Sequence, residues 1–417
     1  MESASRMKSL VLGIQMLFVA FGALVLVPLL TGFSPCIALF TAGIGTLLFH
    51  AITGGKVPIF LASSFAFIAP MKFGVEHFGM GPTIGALATA GLVYLVLSLM
   101  IRLGGPEVIH RLMPPIVTGP VIMVIGLKLA PVAVSMARSI GGTDGGGKAL
   151  FVACFSLAVA VLAVIFGRGM LRLIPILCGV VAGYVVSLLV GIVDFAPVRE
   201  AAWLSIPWRD ALSAGQFAMP EFRLDAILYI LPVALAPAIE HVGDILAISS
   251  VAGKDFIRDP GLHRTLLGDG LATSLAAVLG GPPNTTYSEV TGAVALTRAV
   301  NPLYMRIAAV AAMAVAFIGK LGGFLRTIPS PVMGGIMILL FGMIAAIGIG
   351  TLVKAGTDMT RPRNLVISSI ILVVGIGDMQ FCCGKITLGG IGLAGLVGVL
   401  LNLVLPREET AGEPPTT

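Results

Sequence analysis

The sequence predicts an all-α polytopic membrane protein, and three features of its composition and pattern lead to this prediction. Of the 417 residues, 57% are hydrophobic, and the mean hydropathy is +1.04. Charged residues make up only 11%, whereas soluble domains contain about 25%, so the chain lacks the polar surface that a soluble fold of this size needs. Its apolar runs are long, unlike the short alternating segments of a transmembrane β-barrel. A helical membrane protein is the class that remains.

Apolar runs bounded by Gly, Pro or charged residues predict fourteen transmembrane spans. They cover residues 9–30, 35–54, 59–75, 80–101, 114–132, 149–167, 172–193, 224–250, 262–280, 284–299, 303–324, 331–353, 363–378 and 386–405. The first run is too long for the apolar core of a signal peptide, and we interpret it as a retained span. The polar tail, residues 407–417, is predicted to be disordered.

The two halves of the chain resemble each other. Residues 112–119 read LMPPIVTG and residues 328–335 read IPSPVMGG, while residues 103–105 and 321–323 both read LGG. The matching features keep their order, so each half holds seven predicted spans. Because seven is odd, the second copy enters the membrane in the opposite direction. Inverted repeats of this kind are typical of secondary transporters.

The third and tenth predicted spans are short and begin with residues that form helices poorly. Residues 61–67 read LASSFAF, and residues 283–289 read PNTTYSE. Both patterns favour a short extended break followed by a half-helix. Lipid cannot satisfy the hydrogen bonds of such a backbone, so the breaks must be buried in protein, where they line a site. Half-helix starts also direct free N–H groups and a positive dipole end toward the middle of the membrane.

Acidic side chains lie inside the apolar runs. Glu240, His241 and Asp244 belong to the eighth span, and Glu289 follows the break in the tenth. A charge in mid-bilayer costs at least about 2.5 to 3.5 kcal/mol on insertion scales, so such residues face the protein interior and are often functional. Glu240 and Asp244 are four residues apart and share one helix face. His241 points about 100° away, and a structural contact between helices is the favoured interpretation for it.

Glu240 and Glu289 predict a pocket with two carboxylates. Ionised carboxylates accept hydrogen bonds from ligand N–H groups, while half-helix amides suit carbonyl oxygens. A cyclic imide or lactam presents this mixture of groups. Neighbouring buried acids also repel each other, which favours proton uptake and leads to the hypothesis of proton coupling.

Other function classes find little support in the sequence. The five cysteines show neither a CxxC pair nor metal-site spacing, and no Walker loop, GxSxG or HExxH motif occurs. We therefore predict no metal, no cofactor and no enzymatic activity. The net charge of +6 indicates basic loops rather than a nucleic-acid surface. The distribution of Lys and Arg among the loops predicts that both termini are cytoplasmic and that the protein lies in the cell membrane, surrounded by lipid.

Four segments resemble the nucleobase–ascorbate transporter family, also called nucleobase:cation symporter-2, and most closely its bacterial uracil permeases. They are residues 284–289 (NTTYSE), 259–264 (DPGLHR), 63–67 (SSFAF) and 240–243 (EHVG). The resemblance covers nearly the whole chain. It implies import of a nucleobase, expected to be uracil, by proton symport with an elevator-type movement, and a homodimeric assembly.

The resemblance also implies a domain organisation and a set of site residues. Residues 9–103 and 223–324 are expected to form a core domain, and residues 104–222 and 325–406 a gate domain. The substrate-binding residues implied in this way are Glu240, Glu289, Phe65, Ser288 and Tyr287. The two acids would bind the base, the backbone at Phe65 and Ser288 would contact its carbonyl groups, and Tyr287 would lie beside them. Asp244, together with the two glutamates, is expected to serve proton coupling.

Two positions depart from the uracil permease pattern. Uracil permeases have a histidine where this chain has Asp244, and the purine and ascorbate branches tend to have an aspartate there. Val290 fits neither branch well. The alternatives that remain are therefore a xanthine or uric acid transporter, coupling to sodium, and an anion exchanger or channel of the same 7+7 architecture.

Overall fold

The computed structural model describes residues 2–105, 107, 113–383 and 386–406, and it confirms a mostly helical chain with many apolar helices. The predicted disordered tail, residues 407–417, lies outside the described residues. So do residues 108–112, where the first copy of the repeated segment begins.

The α-helices follow the apolar runs of the sequence closely. From the N-terminus they are α1 (Glu2–Thr31), α2 (Pro35–Ile52), α3 (Ile68–His77), α4 (Met80–Gly104), α5 (Pro115–Arg138), α6 (Gly146–Phe166), α7 (Met170–Leu173), α8 (Pro175–Val190), α9 (Ala196–Glu200), α10 (Pro207–Ser213) and α11 (Leu224–Ile230). The second half contains α12 (Leu235–Ala252), α13 (Leu262–Val278), α14 (Ser288–Thr297), α15 (Pro302–Ala316), α16 (Gly319–Arg326), α17 (Ser330–Lys354), α18 (Pro362–Ile376) and α19 (Gly390–Val404). A 3-10 turn, Leu231–Ala234, joins α11 to α12.

Seven stretches in the described part of the chain are long and apolar enough to cross a membrane. They are residues 9–31 of α1, all of α2, α4, α5, α6 and α17, and the continuous stretch from α11 to α12. Helices α8, α15, α18 and α19 are apolar but shorter. The count of fourteen spans therefore stays a prediction.

The third and tenth spans are broken as predicted. β1 (Leu61–Ser63) leads through a 3-10 turn, Phe65–Phe67, into α3, and β4 (Asn284–Thr286) leads into α14. The two strands pair antiparallel with each other, with Ala62 opposite Thr285. This pairing satisfies backbone groups that lipid cannot bind. The chain folds so that the two breaks, more than 200 residues apart in sequence, meet inside the protein.

Polar side chains of the neighbouring helices fix the two strands in place. The backbone N–H of Leu61 donates to Thr46 of α2 at 2.9 Å, and Asn284 donates through its side-chain amide to the backbone oxygen of Thr41 at 2.7 Å. Thr273 of α13 donates to the backbone oxygen of Asn284 at 2.5 Å. Buried threonine and asparagine side chains thus replace the water that an irregular backbone otherwise needs.

The other strands form two short antiparallel hairpins in the loops between helices. β2 (Ser139–Ile140) pairs with β3 (Thr143–Asp144) between α5 and α6. β5 (Gln380–Cys383) pairs with β6 (Ile386–Gly389) between α18 and α19.

Glycines at the contacts between the long helices allow these helices to approach each other closely. α5 packs along α17, and a Cβ atom at Gly126 would lie 2.4 Å from the backbone oxygen of Phe341. α4 packs on α13 in the same manner, since a Cβ atom at Gly91 would lie 2.2 Å from the backbone oxygen of Gly270. Small residues at such contacts are what helix association in lipid requires. The assignment of these helices to core and gate domains stays a prediction.

The predicted span 303–324 is divided in the structure. The run 303–324 forms α15 and α16, with a break at residues 317 and 318. The loop before α10 binds this break, because the N–H of Ser205 donates to the backbone oxygen of Phe317 at 3.0 Å and the N–H of Gly319 donates to that of Trp203 at 3.1 Å. The interruption comes from a long-range contact, so apolarity alone did not indicate it.

Candidate functional site

A cavity of about 560 Å³ lies beside the paired strands, at the starts of the two half-helices. Its walls come from the 3-10 turn before α3, from one face of α12, from the start of α14, and from α5 and α17. Its lining residues are Phe65, Ala66, Met113, Pro115, Thr118, Ile122, Ile125, Ile239, Glu240, Val242, Gly243, Asp244, Ala247, Ser288, Thr291, Ile344, Ile347, Thr351, Lys354 and Ala355. The cavity extends toward the membrane face at which α5 begins and α17 ends.

Helix α12 presents its two acids to this cavity on one face. Glu240, Gly243, Asp244 and Ala247 all line it, and their spacing of three and four residues is that of a single helical stripe. His241 is fully buried on another side of the helix. The orientation that the sequence predicted for these residues is therefore the one in the structure.

Asp244 connects α12 to the broken tenth span. One carboxylate oxygen accepts a hydrogen bond from the hydroxyl of Thr286 at 2.7 Å, and the other accepts one from the hydroxyl of Ser288 at 2.5 Å. The side chain is buried, with Thr286 at the end of β4 and Ser288 at the start of α14. Asp244 thus orients the start of the half-helix relative to α12.

Glu240 is half-buried at the cavity wall. Within the described residues, no protein group donates a hydrogen bond to its carboxyl group, although the acids Asp244, Glu289 and Asp269 lie within electrostatic range. A carboxylate offers about four lone-pair sites. Glu240 therefore has its full acceptor capacity available to a ligand in the cavity.

The two half-helix starts supply donors at the same place. Phe65 opens the 3-10 turn that leads into α3, and Ser288 is the first residue of α14; both line the cavity. The first N–H groups of a helix have no acceptor within the helix, and the positive end of the helix dipole lies there. The same cavity is therefore lined by the acceptor Glu240 and by the starts of both half-helices.

Two of the predicted site residues lie behind the cavity wall. Tyr287 is buried, with its ring centroid 6.2 Å from that of Phe65. Glu289 is half-buried and lines a separate cavity of about 50 Å³ that is bordered by α1, the start of α8 and α17. The structure brings Glu240, Asp244, Phe65 and Ser288 onto one cavity, and the pairing of Glu240 with Glu289 stays a prediction.

Asp269 is an intramembrane acid that the sequence analysis did not single out. It lies in α13, fully buried, and its Oδ2 atom is 3.2 Å from Nδ1 of the fully buried His241. The sequence Gly268-Asp269-Gly270 inside an apolar run is the signal that marks it. The contact joins α13 to α12, so His241 makes the structural contact between helices that was favoured for it. In the described part of the chain, no group of three or more His, Cys, Asp or Glu side chains could hold a metal ion.

Apolar helices, two broken spans that meet inside the protein and an acid-lined cavity at their junction define a multi-pass membrane transporter. Residues 7–382 match the sequence model of the permease family named Xan_ur_permease. The chain belongs to this family, the nucleobase–ascorbate transporters.

Several permeases are similar in sequence to this chain over almost their full length. A probable uracil permease of Haemophilus influenzae is 52% identical over 99% of this chain and 98% of its own length. The uracil permease of Bacillus subtilis is 43% identical over 95% of this chain and 93% of its own, and that of Escherichia coli K12 is 38% identical over 97% and 92%. These relatives confirm the prediction of a transporter rather than an enzyme.

Solved structures confirm the fold. The chain is similar to SLC26A9 with a TM-score of 0.64 and 12% identity, covering 95% of this chain and 64% of that one. It is similar to the transmembrane domain of the cyanobacterial bicarbonate transporter BicA with a TM-score of 0.59 and 15% identity, covering 95% of this chain and 96% of that one. Both are inverted 7+7 repeat transporters, which agrees with the repeat in this sequence.

Proposed function

We propose that this protein imports uracil by proton symport. The observation that carries the proposal is that Glu240, an acid without a protein donor in the described residues, lines the same cavity as the starts of two half-helices. Several similar permeases, at 38 to 54% identity, are named uracil permease or probable uracil permease, and these names support the choice of base.

The chemistry of a cyclic imide fits this arrangement. Uracil offers N–H donors on the same edge as its carbonyl acceptors. Glu240 would accept from a ring N–H, and the backbone N–H groups at Phe65 and Ser288 would donate to the carbonyl oxygens. Glu289, next to Ser288, is proposed as a second carboxylate for the ring, and Tyr287 packs behind Phe65.

A competition panel tests the choice of substrate. With purified protein in liposomes, unlabelled uracil is expected to abolish uptake of labelled uracil, whereas xanthine and uric acid leave it unchanged, because each of these purines carries a second, fused ring that the site would also have to accommodate. Uptake of labelled xanthine that unlabelled uracil does not inhibit would instead assign the purine alternative. Anion flux that ignores every nucleobase would assign an exchanger or channel, a choice that the negative charge of Glu240 and Asp244 disfavours.

Protons are the proposed coupling ion, with Asp244 and the two glutamates as the groups involved. Glu240 and Asp244 lie four residues apart on α12 and both face the cavity. Two carboxylates about one helical turn apart repel strongly where water is scarce, and one proton removes the repulsion. Binding of a neutral base and a proton together would thus leave the cavity with less unbalanced charge.

Coupling is tested by the response of uptake to ion gradients. An acidic exterior is expected to accelerate uracil uptake into liposomes, and added uracil is expected to acidify the lumen, as followed with an enclosed pH dye. Replacement of sodium by choline should change neither quantity. Uptake that follows the sodium gradient and resists a protonophore would instead assign sodium as the coupling ion.

An elevator movement in a homodimer is the proposed mechanism. The cavity lies between elements of the predicted core domain, which are the 3-10 turn, α12 and α14, and elements of the predicted gate domain, α5 and α17. With cytoplasmic termini, α5 begins on the cytoplasmic side, so the cavity in this structure would open inward. Movement of the core past the gate would then carry the base between the two sides.

A further inference from the structure

Gly243 is a glycine in the interior of a transmembrane helix that no protein contact requires. It lies in the middle of α12, and a Cβ atom added there would have no protein atom within 4 Å. Its φ angle is not in the left-handed region. Glycine inside a helix is destabilising relative to alanine. Neither the packing nor the backbone of this structure therefore explains the missing side chain.

The other helical glycines in the described part of the chain either pack closely against neighbouring atoms or, where their Cβ position is open, do not line the cavity. A Cβ atom at Gly43 would lie 2.4 Å from the backbone oxygen of Ala309, and Gly91 and Gly126 show the same close approach to a facing backbone. Those glycines are needed for helix packing. Gly243 faces open space instead, and that space belongs to the cavity.

Gly243 lies between the two acids of α12, so the open space beside it is where a ligand bound to Glu240 would extend. It follows Glu240 by three residues and precedes Asp244, so it lies in the middle of the stripe that α12 presents to the cavity. A flat ring whose N–H is bound by Glu240 would extend along this stripe. The absent side chain leaves a hollow into which part of such a ring or its substituent fits.

We propose that Gly243 is a specificity-determining residue that sets the largest heterocycle the cavity accepts. This inference rests on the proposed function, since it concerns the ligand of the same site. A side chain at this position fills the hollow directly, and one methylene group in a binding pocket changes discrimination by about 10- to 200-fold. The effect depends on ligand size and leaves the hydrogen bonds of Glu240 in place.

The test uses Gly243→Ala and Gly243→Val in the full-length protein in liposomes. Inhibition constants are measured for uracil and for uracils with fluoro, methyl and iodo substituents of increasing size at C5 and C6. Gly342→Ala is the matched control, because Gly342 is also helical, has no atom within 4 Å of its Cβ position and does not line the cavity. Alanine favours the helix more than glycine does, so neither alanine substitution should lower the midpoint of thermal unfolding. An unchanged midpoint is the check that the variants are folded.

The expected result is a size limit that moves with residue 243. Gly243→Ala should weaken the largest analogue that the wild type accepts by about tenfold or more relative to its effect on uracil, and Gly243→Val should weaken both ligands further. Gly342→Ala should change neither constant. Equal weakening of all ligands would overturn the inference. So would a lower maximal rate with unchanged inhibition constants, which would show that Gly243 permits a close helix approach during transport. If the wild type bound no nucleobase at all, the proposed function would fail first, and the inference with it.

Discussion

Replacing Glu240 by glutamine is expected to abolish uracil uptake while leaving the fold intact. Glutamine has nearly the same shape, but it is neutral and can present an N–H₂ group where the ligand also has an N–H. A hydrogen bond to a charged acceptor contributes up to about 3 kcal/mol, which corresponds to a roughly 100-fold loss of affinity. Initial uptake rates at low uracil concentration, together with the binding constant of the purified protein, measure this loss.

Glu76→Gln is the matched control for this substitution. Glu76 is exposed on α3 and does not line the cavity, so its replacement should leave uptake unchanged. Full uptake by Glu240→Gln would show that the ligand does not bind where the structure places the acceptor. Glu289→Gln, measured beside it, tests the second carboxylate, because a comparable loss there would mean that the ligand reaches past the wall separating the two cavities.

Local features of the sequence were enough to predict the broken spans and the orientation of α12. Residues 61–67 and 283–289 form helices poorly and follow glycine and proline, which is a property of the segments themselves. The common face of Glu240 and Asp244 follows from helix geometry alone. In both cases the information lies within a few residues along the chain.

Contacts between distant segments could not be predicted in this way. The hydroxyls of Thr286 and Ser288 donate to Asp244 from a segment whose strand, β4, is paired with the distant strand β1. The break in the run 303–324 depends on the loop that contains Trp203. The placement of Glu289 against α1 and α17 is likewise a matter of tertiary packing, on which the spacing of acids in the sequence carries no information.

Asp269→Ala is expected to produce the largest loss of stability among the substitutions considered. Its carboxylate and the imidazole of His241 are both fully buried and 3.2 Å apart. Removing one partner of a buried pair leaves the other polar group without compensation, at a cost of about 3 kcal/mol or more. The midpoint of thermal unfolding in detergent, at a fixed scan rate, and the yield of monodisperse protein measure the loss. Asp358→Asn is the control, because its pairing with Arg361 is exposed and contributes little.

A double variant tests whether the loss of stability comes from the polar partner, His241, that the single substitution leaves without its contact. If the cost arises from an uncompensated polar group, His241→Leu combined with Asp269→Ala should recover much of the stability that Asp269→Ala alone loses, since an apolar pair of similar total volume replaces a buried polar one. No recovery would mean that the side chains act independently, contrary to the geometry. Transport by the recovered double variant is the decisive second measurement. The pair joins α12, which carries Glu240, to α13, which holds β4 through Thr273. Normal uptake would limit the pair to holding these helices together, whereas a stable but inactive variant would place it in the transport cycle itself.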